Sequence, residues 1–344
     1  EIEHVKERKE MYLGESNCII DKVFVFDIES NEFKQEKIKY CPGLIKLFDE
    51  VFTNALDNIH RSKNQTFINV NIDSENKIIS VENNGYMIPL NKFENTDKYT
   101  PEVLFSQMRT SSNYNENRSG AGINGLGVKL VTILSKSLHL RIVNNKLEYD
   151  QYFNDGCQEI EEPTLRKIKE SDICMVEFEP NLEILDSSIK SNEWNEIFEN
   201  TSKILYRRAY EGLSVVNNGK ITMKINNIAI KNLDPYNLGL KYYNAFKKSD
   251  KEPKFYETKD YSLFIGLSNK FNQFSYVNGI NTYEGGSHVN NILKQLTKGI
   301  ITLAKSDKEN EVKNNLFLLL SIKMQNPVFS SQSKEKLTSR NGLT

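Results

Sequence analysis

Apolar residues recur at two different periods along the first third of the chain. Leu44, Leu47, Phe48, Val51, Phe52, Ala55 and Ile59 share one face at a helical step, and Pro42 and Gly43 stand just before them. That spacing predicts an amphipathic helix from Pro42 to about Arg61. Ile68, Val70 and Ile72 then alternate with polar residues over Phe67 to Asp73, and Ile79 and Val81 do so over Lys77 to Asn83. These are two strands, with Ser74-Glu75-Asn76 as the turn between them. A polar, Gly-rich stretch from Thr110 to Gly127 leads into a short apolar-periodic helix from about Val128 to Ser135. A patternless segment of that length is usually either disordered or functional.

Further on, Met175 to Glu179 reads as a strand, Asn192 to Ala209 as a helix and Lys220 to Ile230 as a strand pair. The texture changes after about Ile228. Strands are expected at Tyr261 to Leu267 and Phe274 to Asn278, a helix at His288 to Ala304 and a buried strand at Leu316 to Met324. A chain of 344 residues is long enough for roughly two domains of about 150 residues. The pattern divides it into 1–228 and 229–344, both mixtures of helix and strand.

Composition narrows the class. The 45 basic and 46 acidic side chains leave a net charge of -1, which excludes a polybasic nucleic-acid-coating protein but not a local basic groove. No apolar run approaches the roughly 18 residues that a membrane-spanning helix needs. The charged start, Glu1-Ile-Glu-His-Val-Lys, has no secretory apolar region, so an intracellular protein is expected. Cys18, Cys41, Cys157 and Cys174 form no CxxC pair, which argues for reduced thiols rather than a zinc site or a disulfide framework. The 41 asparagines reflect A/T-rich coding as easily as chemistry, so each functional one must be argued by position.

Three pieces carry chemistry. Glu50, Asn54, Asp57 and Arg61 lie along one line of the first helix, bordering its apolar face. The line is either a solvated, salt-bridged edge or a polar site with a carboxylate for water activation and an amide oxygen for a metal. At the end of the second strand, Asn83-Asn84-Gly85 puts short polar side chains before a turn glycine. The third piece is Ser119-Gly-Ala-Gly-Ile-Asn-Gly-Leu-Gly-Val-Lys129. Gly120, Gly122 and Gly125 match GxGxxG, but no strand precedes them and no acidic residue follows at the ribose position, so a dinucleotide fold is excluded. The GK[ST] ending of a P-loop is absent as well. What remains is a glycine-rich loop running into a helix N-terminus, whose free N–H groups suit phosphate.

Taken in order, Glu50-x3-Asn54-x2-Asp57, the Asn83 turn and the glycine loop resemble the ATP-binding fold shared by gyrase, Hsp90, histidine kinases and MutL. The narrower blocks resemble type IIA DNA topoisomerases of the eukaryotic, large-virus and T-even-phage kind. They are Pro42-Gly-Leu-Ile-Lys-Leu-Phe-Asp-Glu50, Thr110-Ser-Ser-Asn-Tyr114, Arg207-Arg-Ala-Tyr210, Val277-Asn278, Gly285-Gly-Ser-His-Val289 and Asn326-Pro-Val-Phe-Ser-Ser-Gln-Ser-Lys-Glu335. The resemblance implies an α+β chain: a Bergerat-type ATP-binding α/β sandwich, then a smaller, C-terminally truncated transducer domain of ribosomal-protein-like βαβ fold.

The implied cofactors are ATP and Mg²⁺. Glu50 would polarise the attacking water, Asn54 would hold Mg²⁺, and Asn83 would meet the adenine amino group. Asp57, Asn58, Arg61 and Ile88 would complete the pocket wall. Ser111, Ser112 and Asn113 would touch ribose and phosphate. Gly122, Ile123, Asn124, Gly125, Leu126, Gly127, Val128 and Lys129 would cover the triphosphate. Gln332, Ser333 and Lys334 would form the loop reaching the γ-phosphate from the second domain, with Lys334 opposing charge on the transferred oxygens. ATP would pair two chains into a gate capturing duplex DNA. No membrane partner is implied.

The sequence departs from the family pattern in places. Met87 replaces a turn glycine, Ile123 an arginine and Leu126 a tyrosine of the lid, and Lys9 a proline. No Asp-x-Asp metal pair for DNA cleavage is present, so cutting is expected to belong to parts outside this chain. The competing readings are an Hsp90-like or MutL-like ATPase, and a nucleotide-binding interaction module without turnover. His288 reads as a helix-start residue rather than a DNA contact. The lysines from Lys294 to Lys313 read equally as a solvated face or as a lining for captured DNA.

Overall fold

The computed structural model describes residues 2–107, 127–216, 219–248, 250–305, 308–331 and 334–339. The chain forms two compact units. Of the described residues, the first holds those up to Tyr210 and 219–231, the second 211–216 and those from Asn232 onward. The first unit runs on to Lys231 because the strand Thr222–Ile225 pairs in parallel with Phe67–Asp73, and Ile228–Ala229 folds back onto it.

The first unit is built on a nine-stranded sheet. Its order is Ile228–Ala229, Thr222–Ile225, Phe67–Asp73, Ile78–Asn83, Ile173–Pro180, Ser135–Asn144, Leu147–Asn154 and Glu159–Ile160, with Thr164–Lys167 also paired to Leu147–Asn154. Alternation buries one face: Ile68, Val70, Ile72, Ile79, Val81, Leu138, Leu140 and Ile142 are all 4% exposed or less. The helices Pro42–Arg61 and Gly127–Ile133 pack against each other and onto this sheet. The other face is polar, with His139 Nε2 2.9 Å from Asp150 Oδ2. Proline at the first turn, an extended Cys41 before it and His60 and Arg61 in the last turn account for where the long helix starts and stops.

Two helix ends differ from expectation. Gly127–Ile133 stops where Ser135 turns its hydroxyl back to the Val131 carbonyl and opens the next strand. Trp194–Val216 runs on past Ala209, because Tyr210, Leu213, Val215 and Val216 continue the buried stripe.

The second unit has a five-stranded sheet in the order Lys254–Glu257, Tyr261–Leu267, Leu316–Ile322, Asn272–Val277 and Ile280–Asn281. Leu316–Ile322 is central and buried at every position. It lies parallel to Asn272–Val277 through the crossover helix Ser287–Ala304, a βαβ unit. One face of Leu316–Ile322 packs Leu318 and Leu320 on Val289, Ile292 and Leu293 of that helix. The other presents Phe317 to Tyr243 and Phe264, with ring centroids 5.3 and 5.9 Å away.

Candidate nucleotide site

Glu50 sits midway along the Pro42–Arg61 helix and is only 6% exposed. Lys46, one turn earlier, places Nζ 3.0 Å from Glu50 Oε1. The other carboxylate oxygen faces the start of the second helix: a Cβ added to Gly127 would stand 2.0 Å from Glu50 Oε2. Only glycine allows that approach, and it joins the end of the Gly-rich segment directly to the long helix. Asn54 and Arg61, on the same line as Glu50, are exposed, whereas Asp57 and Asn58 are buried.

The strand-end turn closes against the same helix. Asn58 Nδ2 donates to the Asn84 carbonyl at 3.2 Å. Gly85 has φ +114°, and a Cβ there would come within 3.0 Å of Asn58 Nδ2 and Gln65 Cβ. Asn84 Oδ1 accepts from the Thr66 and Phe67 amides at 2.8 and 3.2 Å, which fixes the turn. Register places Asn83 opposite Ile68 and Cys174, so its side chain lies on the helix-covered face at the sheet's end, 8% exposed. Met87, the departure at the turn, is buried, and Ile88 is half-buried with its carbonyl accepting from Asn144 Nδ2 at 3.4 Å.

Val128 and Lys129 follow Gly127 in the short helix. Lys129 is 1% exposed, and burial pushes its pKa down to about 8. A lysine so placed is strongly favoured by a nearby anion, since the anion restores what desolvation removes.

The structure thus sets Gly127 against Glu50 and the Asn84–Gly85 turn against Asn58 of the same helix, with Asp57 buried beside Asn58, Asn83 at the adjoining strand end, Val128 and Lys129 following Gly127, and Asn54 and Arg61 exposed. Ser111, Ser112, Asn113, Gly122, Ile123, Asn124, Gly125, Leu126, Gln332 and Ser333 lie outside the described residues. Lys334 belongs to the second unit. It is 7% exposed with φ +62°, and its loop is tied to the Gly285–His288 block. Ser287 N donates to the Leu337 carbonyl at 3.0 Å, Leu337 N to the Gly285 carbonyl at 3.1 Å, and Glu284 N to the Glu335 carbonyl at 3.1 Å. A Cβ on Gly286, at φ +137°, would meet Leu337 O at 2.3 Å.

Sequence reasoning missed Lys46, although its place four residues before Glu50 was a legible signal. It also left Arg207-Arg-Ala-Tyr210 without a role. Arg208 forks onto Asp49, with Nε 3.1 Å from Oδ1, and Tyr210 packs between Phe26 and Phe33. Arg208 thus braces the helix that carries Glu50, and Tyr210 braces the strands Ile19–Asp27 and Glu32–Tyr40. His288 is 3% exposed with Nε2 3.3 Å from Thr282 Oγ1, so it serves the second unit's interior. Among the described residues, no group of three or more His, Cys, Asp or Glu side chains is placed to hold a metal.

The family model for DNA gyrase B matches residues 240–342. DNA topoisomerase 2 of Meyerozyma guilliermondii is 32% identical over 374 residues, which take in 99% of this chain and 26% of that protein. Solved structures are similar over nearly the whole chain. The ATPase region of Saccharomyces cerevisiae topoisomerase II superposes with a TM-score of 0.88 at 29% identity, covering 99% of this chain and 89% of that one. The ATPase and transducer domains of DNA topoisomerase II from Balamuthia mandrillaris give 0.87 at 31% identity, covering 98% and 87%. The chain belongs to the type IIA DNA topoisomerase family. It corresponds to the family's ATPase and transducer region and has its α+β fold, and these matches set aside the Hsp90-like and MutL-like readings. The 43K ATPase domain of Thermus thermophilus gyrase B shares the fold at 18% identity, with a TM-score of 0.62. The chain spans about a quarter of the length of the curated topoisomerase relatives it matches.

Proposed function

We propose that this chain binds Mg-ATP and hydrolyses it as the nucleotide-operated gate of a type II DNA topoisomerase. The observation that carries the reading is the Glu50 carboxylate, buried between Lys46 and Gly127 at the exit of the Gly-rich segment. A carboxylate held there can take the proton of a water attacking the γ-phosphate while the loop's backbone N–H groups hold the phosphates. Lys46 fixes its orientation. Asn83 is the adenine contact, with Asp57, Asn58, Arg61 and Ile88 around it. Ser111, Ser112 and Asn113 take the ribose and phosphate, and 122–129 cover the triphosphate. Asn54 fits Mg²⁺: its exposed amide oxygen is one helical turn from Glu50, and a hard cation needs few protein ligands when phosphates and water supply the rest. The metal would offset charge on the phosphate oxygens.

Residues 1–228 then form the ATP-binding domain and 229–344 the transducer. Gln332, Ser333 and Lys334 sense the γ-phosphate, so that hydrolysis removes the partner of Lys334 and alters the domain arrangement. In the whole enzyme, ATP-driven pairing of two chains would capture a DNA duplex for passage through a break made elsewhere in the protein. The setting is the compartment that holds the DNA.

Glu50→Gln should abolish Mg-ATP turnover while leaving binding of a non-hydrolysable analogue intact. Unchanged turnover would remove Glu50 from the reaction, and no turnover by the unsubstituted chain would favour the interaction module. Lys334→Ala should slow hydrolysis by about 10²-fold or more, as loss of a transition-state cation does. It should also diminish the analogue-induced change in X-ray scattering; an undiminished change would deny Lys334 its sensing role.

A further inference from the structure

Cys18 and Cys41 meet where the N-terminal segment joins the helix that carries Glu50. The strands Ile19–Asp27 and Glu32–Tyr40 form an antiparallel ladder whose last rung is Ile19 opposite Tyr40. One position further, the same register sets Cys18 opposite Cys41. Opposed residues of an antiparallel pair have Cα atoms about 4.5–5.5 Å apart, inside the roughly 4.4–6.8 Å span of disulfides. The side chains agree with the backbone: the Cys41 thiol lies near enough to Cys18 to disfavour its thiolate, and Cys41 Sγ donates to the Ser16 carbonyl at 3.5 Å. Both backbones are anchored, Cys18 N on Asp186 Oδ2 at 2.8 Å and Cys41 N on Thr201 Oγ1 at 3.1 Å. Cys18 is half-buried and reachable, while Cys41 is buried behind it, and both are reduced thiols.

We propose that Cys18 and Cys41 are a redox-responsive pair that closes to an intramolecular disulfide by exchange with a small disulfide such as oxidised glutathione. The Cys18 thiolate attacks one glutathione sulfur and releases one glutathione thiolate, leaving a mixed disulfide. Cys41 then loses its proton to solvent and displaces the second glutathione. Two protein thiols and one glutathione disulfide become one protein disulfide and two glutathione thiols. The neighbouring Cys41 thiol, burial and the Asp186 carboxylate all disfavour the Cys18 thiolate, so the exchange is slow. Cys41 is the residue before Pro42, so the bridge clamps the hairpin's base to the start of the catalytic helix.

The test is incubation of the folded chain with oxidised glutathione, an acid quench, counting of free thiols by a maleimide mass tag, and peptide mass spectrometry. Two of the four thiols should disappear together, with a Cys18–Cys41 linked peptide that dithiothreitol reopens. The bridged chain should melt several degrees higher than the reduced one. Cys41→Ser, which puts a favourable cap before the helix, should instead accumulate a stable glutathione adduct on Cys18. Four free thiols after prolonged exposure, or a persistent glutathione adduct on Cys18 of the unsubstituted chain, would overturn the proposal.

Discussion

Gly127 offers a sharp test of the proposed chemistry, because its replacement separates catalysis from folding. Alanine adds one methyl group, 2.0 Å from Glu50 Oε2 and 3.0 Å from the carboxyl carbon. Ordinary contact begins near 3.4 Å, so the carboxylate oxygen must retreat by roughly 1.4 Å unless the backbone moves. For folding this is cheap: the obstructing atom is the end of a flexible side chain, and alanine is preferred over glycine in a helix by about 1 kcal/mol. The Tm of Gly127→Ala should therefore match or slightly exceed that of the unsubstituted chain. Proton transfer is less forgiving, since displacing a catalytic group by about 1 Å costs on the order of 10²-fold in rate, or about 2.7 kcal/mol of barrier. The assay is steady-state Mg-ATP hydrolysis, with calorimetric titration of a non-hydrolysable analogue to show that the site still binds. A folded Gly127→Ala chain with turnover close to the unsubstituted one would refute the idea that Glu50 works from its observed position.

Two further outcomes concern the second unit. Gly286→Ala places a Cβ 2.3 Å from the Leu337 carbonyl at φ +137°, where backbone meets backbone and nothing can swing aside. It should cost about 1–3 kcal/mol in urea unfolding and expose the segment around Lys334 to protease; an unchanged midpoint would show that this contact is not needed. His288 is the pH-sensitive case, because burial lowers its pKa to about 4 from 6.5. The folded state thus favours the neutral ring. Its contribution is complete above about pH 6.5 and is lost as the pH falls towards 4, about 3 kcal/mol in all. Urea unfolding between pH 7 and 4.5 should lose less stability in His288→Gln than in the unsubstituted chain, and equal losses would contradict the assignment.

Sequence pattern reached the elements whose burial is periodic. Pro42–Arg61, Phe67–Asp73 and Ile78–Asn83 lay open to it because their apolar residues keep strict step with one covered face. Pattern failed where polar groups are buried with partners. Glu211 is 1% exposed and accepts a hydrogen bond from the Tyr242 hydroxyl, so a helix expected to end at Ala209 continues through it. Glu148 and Gln151 are buried inside the strand Leu147–Asn154, which disguised that strand and its neighbour Ser135–Asn144. The parallel pairing of Thr222–Ile225 with Phe67–Asp73 is a long-range choice that no local period encodes. For the site, the order of Glu50, Asn54, Asn83 and the glycines was readable. The meeting of Glu50 with Gly127 and the tie between Lys334's loop and Gly286 were not, because each depends on a backbone approach rather than on residue type.

The ends of the nine-stranded sheet matter for how such a chain behaves in a crowded solution. Among the described residues, one margin closes on Ile228–Ala229, two residues long, and the other on Glu159–Ile160 and Thr164–Lys167, two and four residues long. The nearby Thr164–Lys167 strand is exposed throughout and carries Arg166 and Lys167. A foreign strand docking at either margin would find too few free amides to zip onto, and on one side a pair of cations that any basic newcomer must desolvate or repel. A large apolar sheet is thereby kept from templating aggregates by the brevity of its borders, so substitutions that lengthen those borders should lower solubility well before they lower stability.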